Sequence, residues 1–160
     1  MSASHSYDVE VSWTGNRGTG TTGYTAYGRE HEVDAAGAPT IPGSADPVFR
    51  GDPSRWNPEQ LLVAALSQCH MLWYLHQAAA AGVVVTGYTD RAHGELALDD
   101  SGAGQFTEVV LRPRVRIAAG SDPDAAQRLH AAAADFCFIA RSVNFPVRHQ
   151  PVVEVEQSAG

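Results

Sequence analysis

The segment Asn57–Gly82, NPEQLLVAALSQCHMLWYLHQAAAAG, is the longest strongly helical run in the chain and constrains its fold more than any other stretch. Asn57 is a good N-cap, Pro58 suits the first helical position, and Glu59 lies by the positive end of the helix dipole. Gly82 is the expected C-cap. From Leu61 to Leu75 nearly every side is apolar, so the pattern predicts a helix buried on most faces. Cys69, one of two cysteines in the chain, stands at its middle between Gln68 and His70.

Around this helix the pattern changes to strands and turns. Tyr7–Trp13 alternates apolar and polar residues, as a half-buried strand does. The glycine- and threonine-rich stretch 14–23 follows and carries Arg17. It is not a phosphate loop, because the Lys-Ser/Thr ending and a following helix are missing. Tyr24–Val33 reads as the returning strand of a hairpin. Residues 35–57 hold Pro39, Pro42, Pro47 and Pro53 and read as irregular, with a short strand near Val48–Arg50. A loop of that length is usually functional or covers something. Beyond the helix, Val83–Leu98 reads as one long strand with a bend at Gly94. Asp99–Gly104 is a turn, and Phe106–Ala118 returns, with Pro113 implying an edge or a bulge. Ser121 or Asp122 caps a second helix running from Ala125 to about Ser142, with Cys137 near its end. Pro151–Glu156 is a last strand. Strands, helix, hairpin, helix, strand make an α+β domain, expected as a single domain over residues 1–160.

Composition narrows the chemistry. With 160 residues the chain can bury a sizeable core in one domain. The formal net charge of −7 argues against a nucleic-acid partner held through phosphates. All 11 basic residues are arginine, which excludes a Schiff base or a lysine base. No apolar run is long enough to span a bilayer, and residues 1–10 do not have the pattern of a secretory signal. The expected compartment is therefore the reducing cytoplasm, where Cys69 and Cys137 are thiols or a redox pair rather than a structural staple. Neither belongs to a C-x-x-C pair, so cysteine-bound zinc is disfavoured. A cysteine in an apolar helix is by default a small hydrophobe, and a reactive one needs a nearby cation to lower its pKa. Arg17 in its glycine loop is the candidate cation.

The remaining polar and aromatic residues take ordinary readings. His70 and His76 do not share a helix face and do not form a metal pair. His31, His93, His130 and His149 read as scattered and exposed. Arg112, Arg114 and Arg116 alternate on one solvated strand face. Phe138 and Ile139 read as core in preference to the lining of an apolar channel, and Trp73, one turn beyond Cys69, is core or the wall of a pocket.

The pattern N-P-E-x-L-L-x-A-A-L-x-x-C-H at Asn57–His70, with Cys137 in FCFIARSVNFPV, resembles the OsmC/Ohr family of thiol peroxidases. The glycine-rich hairpin bearing Arg17 and the order of elements resemble that family too, over essentially the whole chain. The resemblance implies antiparallel sheets around a long buried helix, in an intertwined homodimer. It implies a peroxidatic Cys69 that attacks an organic hydroperoxide and a resolving Cys137 that closes a disulfide. It assigns Arg17 to hold Cys69 as thiolate and Glu59 to position Arg17. No cofactor or metal is implied; an external thiol, such as a lipoylated protein, would supply electrons. Two residues depart from the pattern: Cys137 is followed by Phe138 where a proline is common, and Cys69 by His70 where others carry an apolar or aromatic residue. Both place the chain with the OsmC-like branch, for which the alternative is a non-enzymatic or small-ligand-binding stress protein with reduced bystander thiols. A Cys/His hydrolase is disfavoured because Cys69 and His70 are adjacent on a helix and point to different sides. Glu59 and Cys69, ten residues apart, would differ by ~15 Å in rise along one straight helix, so either the helix starts later than Asn57 or Glu59 and Arg17 reach the thiol from another chain.

Overall fold

The computed structural model describes residues 3–157. Its packing divides into two compact units, one up to Leu61 and one from Leu62 onward, and the helix α1 (Pro58–Ala80) contributes its first turn to the former and the rest to the latter.

The first unit is a three-stranded antiparallel sheet, β1 (Glu10–Trp13), β2 (His31–Asp34) and β3 (Ile41–Gly43), in that spatial order. The strands are shorter than the alternation predicts, and the expected second strand over Tyr24–Val33 survives only at its end. Arg29 is the reason. Its guanidinium donates to the carbonyls of Tyr27 (2.6 Å) and Tyr24 (2.8 Å) and lies over both rings, 4.1 and 4.5 Å from their centroids. Those bonds curl the chain and remove it from the ladder. The expected strand near Val48–Arg50 is instead a 3-10 turn, Pro47–Phe49, capped by the Asp46 carboxylate. The half-buried reading of Tyr7–Trp13 is also corrected: Tyr7, Val9, Val11 and Trp13 are all exposed.

The second unit holds two further three-stranded sheets and the second helix. Strands β4 (Val85–Asp90), β7 (Pro113–Ile117) and β9 (Val152–Val155) form one sheet; β5 (His93–Leu98), β6 (Gly104–Leu111) and β8 (Val147–His149) form the other. In each sheet the first pair is antiparallel and the second parallel, so the sheets are mixed rather than antiparallel. The long strands expected over 83–98 and 106–118 each break in two, at Arg91–Ala92 and at Arg112. Asp90 accounts for the break at Arg112. Its carboxylate accepts the Arg112 backbone N–H (2.7 Å) and the Ser67 hydroxyl (2.6 Å), which takes a main-chain donor out of the ladder where the chain changes sheets. Pro113 opens β7, a position where no ladder donor is needed, so it marks a strand start in a middle strand rather than an edge. The expected bend at Gly94 is a register shift between Glu95 and Leu96.

Helix α1 begins and ends close to the predicted positions. The Asn57 side chain accepts from Gln60 N–H and the Gln60 side chain from Asn57 N–H, a reciprocal capping box. Gly82 is left-handed (φ 73°), with Val83 N–H donating to Ala78 O and Gly82 N–H to Ala79 O, a Schellman end. Burial follows one stripe, Leu66, His70, Tyr74 and Ala78, rather than most faces. Leu66 packs with Phe106, Val109 and Leu111, while Tyr74 and Ala78 pack with Val115, Ile117, Ala126 and Ala133. Helix α2 (Pro123–Phe136) is capped by the Asp122 carboxylate and stops six residues before the expected Ser142. No helix among the described residues is long and apolar enough to cross a membrane.

Candidate functional site

The two cysteines meet. Cys69 is half-buried at the middle of α1, and Cys137 is buried (1% exposed) just beyond α2. Cys137 is not helical, as the longer predicted helix required; it caps α2 in an extended conformation (φ −65°, ψ 109°). The chain then folds into the 3-10 turn Ala140–Ser142, which turns the N–H groups of Ile139 and Ala140 toward the Cys137 thiol. That thiol also lies within hydrogen-bonding reach of Cys69. Both are free thiols. Burial pushes the Cys137 thiol up to about 11, more than its backbone donors pull it down, so it keeps its proton at neutral pH.

An aromatic surface adjoins the pair on the exposed side. Trp73, one turn after Cys69, stacks at a tilt on Phe136 (5.2 Å between centroids) and edge-on against Phe138 (5.4 Å). Phe136, Phe138 and Leu72 are largely exposed, which corrects the core reading of Phe138; Ile139 does pack against the core cluster of Leu66.

Arg17 and Glu59 are not paired with each other in the first unit. Arg17 is 60% exposed and pairs with Glu30 at 3.8 Å. Asn16 shapes its loop by accepting from the N–H groups of Gly18 and Gly20. Glu59 sits in the first turn of α1, and its buried Oε2 has no hydrogen-bond partner. Because α1 is unbroken, Glu59 and Cys69 are separated along it by the ~15 Å that ten residues of rise require.

The sequence pattern of residues 51–151 matches the model of the OsmC-like protein family. The chain belongs to that family. The solved structure of an OsmC-like protein of unknown function from Vibrio cholerae is 33% identical, covers 93% of this chain and 100% of its own, and superposes with a TM-score of 0.85. An organic hydroperoxide resistance protein OsmC from Legionella pneumophila is 17% identical, with 96% of this chain and 100% of that one covered and a TM-score of 0.68. The organic hydroperoxide resistance protein OhrB of Bacillus subtilis is 19% identical, with 94% and 98% covered and a TM-score of 0.62. At those identities the last two show the shared OsmC/Ohr-like fold, a mixed α+β architecture with small sheets and two helices. A comparison with curated proteins gives no match.

Sequence reasoning about this OsmC-like chain missed a histidine cluster. His130 and His149, expected to be scattered and exposed, converge on His70. His70 Nε2 and His130 Nδ1 are 3.0 Å apart, and the His149 ring lies 4.4 Å from that of His70. Tyr74 stacks on His130 at 4.1 Å and donates its hydroxyl proton to Ala126 O. His70 and His130 are 0% and 3% exposed, and burial holds them at about 3 and about 4, with neighbouring imidazoles adding to the effect. The signal was available in helical spacing: His70 lies four residues from both Leu66 and Tyr74, and His130 stands between Ala126 and Ala133 on the same face.

Proposed function

We propose that this protein is a cysteine-based peroxidase that reduces organic hydroperoxides. One observation carries the reading: two free thiols within reach of each other, one partly accessible and the other buried with its proton retained. Among its structural neighbours are proteins named for organic hydroperoxide resistance.

The asymmetry of the pair assigns the roles. Cys69, on the accessible side, attacks the peroxide as thiolate. Its sulfur takes one oxygen, the O–O bond breaks, and the alkoxide leaves and is protonated to the alcohol. The resulting Cys69 sulfenic acid faces the Cys137 thiol. Cys137 attacks that sulfur, an S–S bond forms, and the sulfenic hydroxyl leaves with the Cys137 proton as water. Two electrons from an external dithiol, a lipoylated protein for example, return the disulfide to two thiols. The exposed aromatic surface of Trp73, Phe136 and Phe138 suits an apolar R group.

A second copy of the chain completes this reading. The exposed apolar rows Tyr7–Val9–Val11–Trp13 and Leu72–Phe136–Phe138 favour burial against a partner. Arg17 and Glu59 act on the thiol of that partner, Arg17 favouring the thiolate and Glu59 Oε2 accepting from Arg17. The bystander-thiol reading is favoured by a different observation, that Arg17 is already paired with Glu30.

Stopped-flow consumption of cumene hydroperoxide by the reduced protein separates the two. Wild type is expected to consume peroxide fast. Cys69→Ser should abolish this, whereas Cys137→Ser should allow one rapid turnover and then accumulate sulfenic acid. Wild type no faster than Cys69→Ser would establish the bystander reading.

A further inference from the structure

We propose that His70, His130 and His149 form an acid-sensitive clamp that holds the two cysteine-bearing segments together while its rings are neutral. The inference deepens the peroxidase reading, since a resolving disulfide needs the two thiols in reach, but the clamp itself is a matter of packing.

The three rings come from three elements. His70 follows Cys69 on α1, His130 lies on α2, seven positions before Cys137, and His149 ends β8. The rings of His70 and His130 are nearly parallel (12°) and meet edge to edge through Nε2 and Nδ1. That junction accommodates one proton. With both rings neutral, it is donated by one nitrogen and accepted by the other. With both rings charged, two N–H groups would face each other across 3.0 Å. The outer nitrogens offer no relief, because His70 Nδ1 and His130 Nε2 are buried without partners.

Of the charged and titratable groups around the cluster, Asp90 favours a charge on His149 but less than burial opposes it, and no carboxylate offsets a charge on His70 or His130. Asp90 is the nearby carboxylate, and its two oxygens already accept from Ser67 and Arg112. Tyr74 stacks on His130 and spends its hydroxyl on Ala126 O; Tyr88, against Tyr74, has a buried hydroxyl without a partner. Asp135 and Arg141 line the surface hollow that reaches His149, and they bring opposite charges to it. Solvent protons have a route in through His149, while the buried pair rejects the charge.

Separating α1 from α2 restores water to the rings. The open form then binds protons with the ordinary histidine affinity, and the closed form does not. For His70 and His130, every pH unit below about 6.5 favours opening roughly tenfold, down to the depressed range of the closed form. Cys69 and Cys137 ride on the separating segments, so acid should slow their union.

The test uses the reduced full chain and diamide, which needs no peroxidase activity. Two S–H bonds give one S–S bond, and two electrons and two protons pass to the N=N bond of diamide. Rates of disulfide formation are compared between wild type and His130→Gln, whose amide keeps a hydrogen-bonding group but does not titrate. The ratio cancels the common loss of thiolate in acid. The two rates should agree within about threefold near pH 7.5, and wild type should fall at least roughly fivefold below the variant near pH 5. A ratio that does not change with pH overturns the clamp. If His130→Gln does not fold, ring ¹⁵N shifts of wild type decide it. His70 and His130 should stay neutral below about pH 5.5 until α1 and α2 amides lose protection together. Either ring charging near pH 6.5 with the native spectrum intact overturns the proposal. A chain without peroxidase activity whose diamide ratio shifts as expected would keep the clamp and lose only the peroxidase reading.

Discussion

Charging the buried imidazoles of His70 and His130 is opposed by their burial. His70 and His130 are held at about 3 and about 4 by burial, against an ordinary histidine value near 6.5 in the unfolded chain. Between those values the unfolded chain binds more protons than the folded one, so stability is full above about pH 6.5 and is lost as pH falls toward 4. Each ring contributes about 1.4 kcal/mol per pH unit in that window. Urea unfolding at about pH 7 and about pH 5 should therefore differ by roughly 2–4 kcal/mol, and by about half as much in His130→Gln. An unchanged midpoint would show that the rings reach water in the native state. At this scale the sequence was legible for the place of Cys69, at the middle of a long helix. The burial of His70 and His130 shows in helical spacing, but that these rings meet each other and His149 was not legible, because the three lie on different elements.

The starts of both helices and the end of α1 were readable from sequence because those ends are local chemistry; the end of α2, six residues short of Ser142, was not. Asn57, Gln60 and Gly82 lie within the segment they terminate, and Asp122 with Pro123 does the same for α2. Strand breaks were not readable, because the group that makes them is remote. Asp90 stops the strand that ends at Leu111 by accepting from Arg112, twenty-two positions away. Arg29 likewise dissolves a strand that the alternation of Tyr24–Val33 supports. The hairpin of the first unit depends on close backbone approach: Gly15 and Gly28 bond through Gly28 N–H and Gly15 O at 2.8 Å, and Trp13 Nε1 donates to Gly28 O. A Cβ on Gly15 would overlap the Gly28 carbonyl. Gly15→Ala is accordingly expected to lose about 1–3 kcal/mol in chemical denaturation, with Trp13 fluorescence reporting the change. A variant as stable as wild type would mean that the hairpin tolerates opening at that point.

Large apolar side chains lie exposed in both units of the molecule. Tyr7, Val9, Val11 and Trp13 from one unit and Leu72, Phe136 and Phe138 from the other are exposed. The apolar composition of α1 showed at the sequence level that such surface exists, but not which residues would carry it, since only one stripe of the helix is buried within the chain. Sedimentation velocity of the reduced protein should give twice the chain mass, with Trp13→Asp shifting it toward the single-chain mass. A monomer at micromolar concentration would leave Arg17 and Glu59 without the partner thiol assigned to them. The peroxidase reading stands or falls on the bond that the two neighbouring thiols form. One equivalent of cumene hydroperoxide added to the reduced protein, followed by peptide mass analysis, tests it most directly. The account expects loss of two hydrogens and one new cross-linked species joining the Cys69 and Cys137 peptides. Intact free thiols after exposure, or oxidation of Cys69 with no cross-link to Cys137, would contradict it.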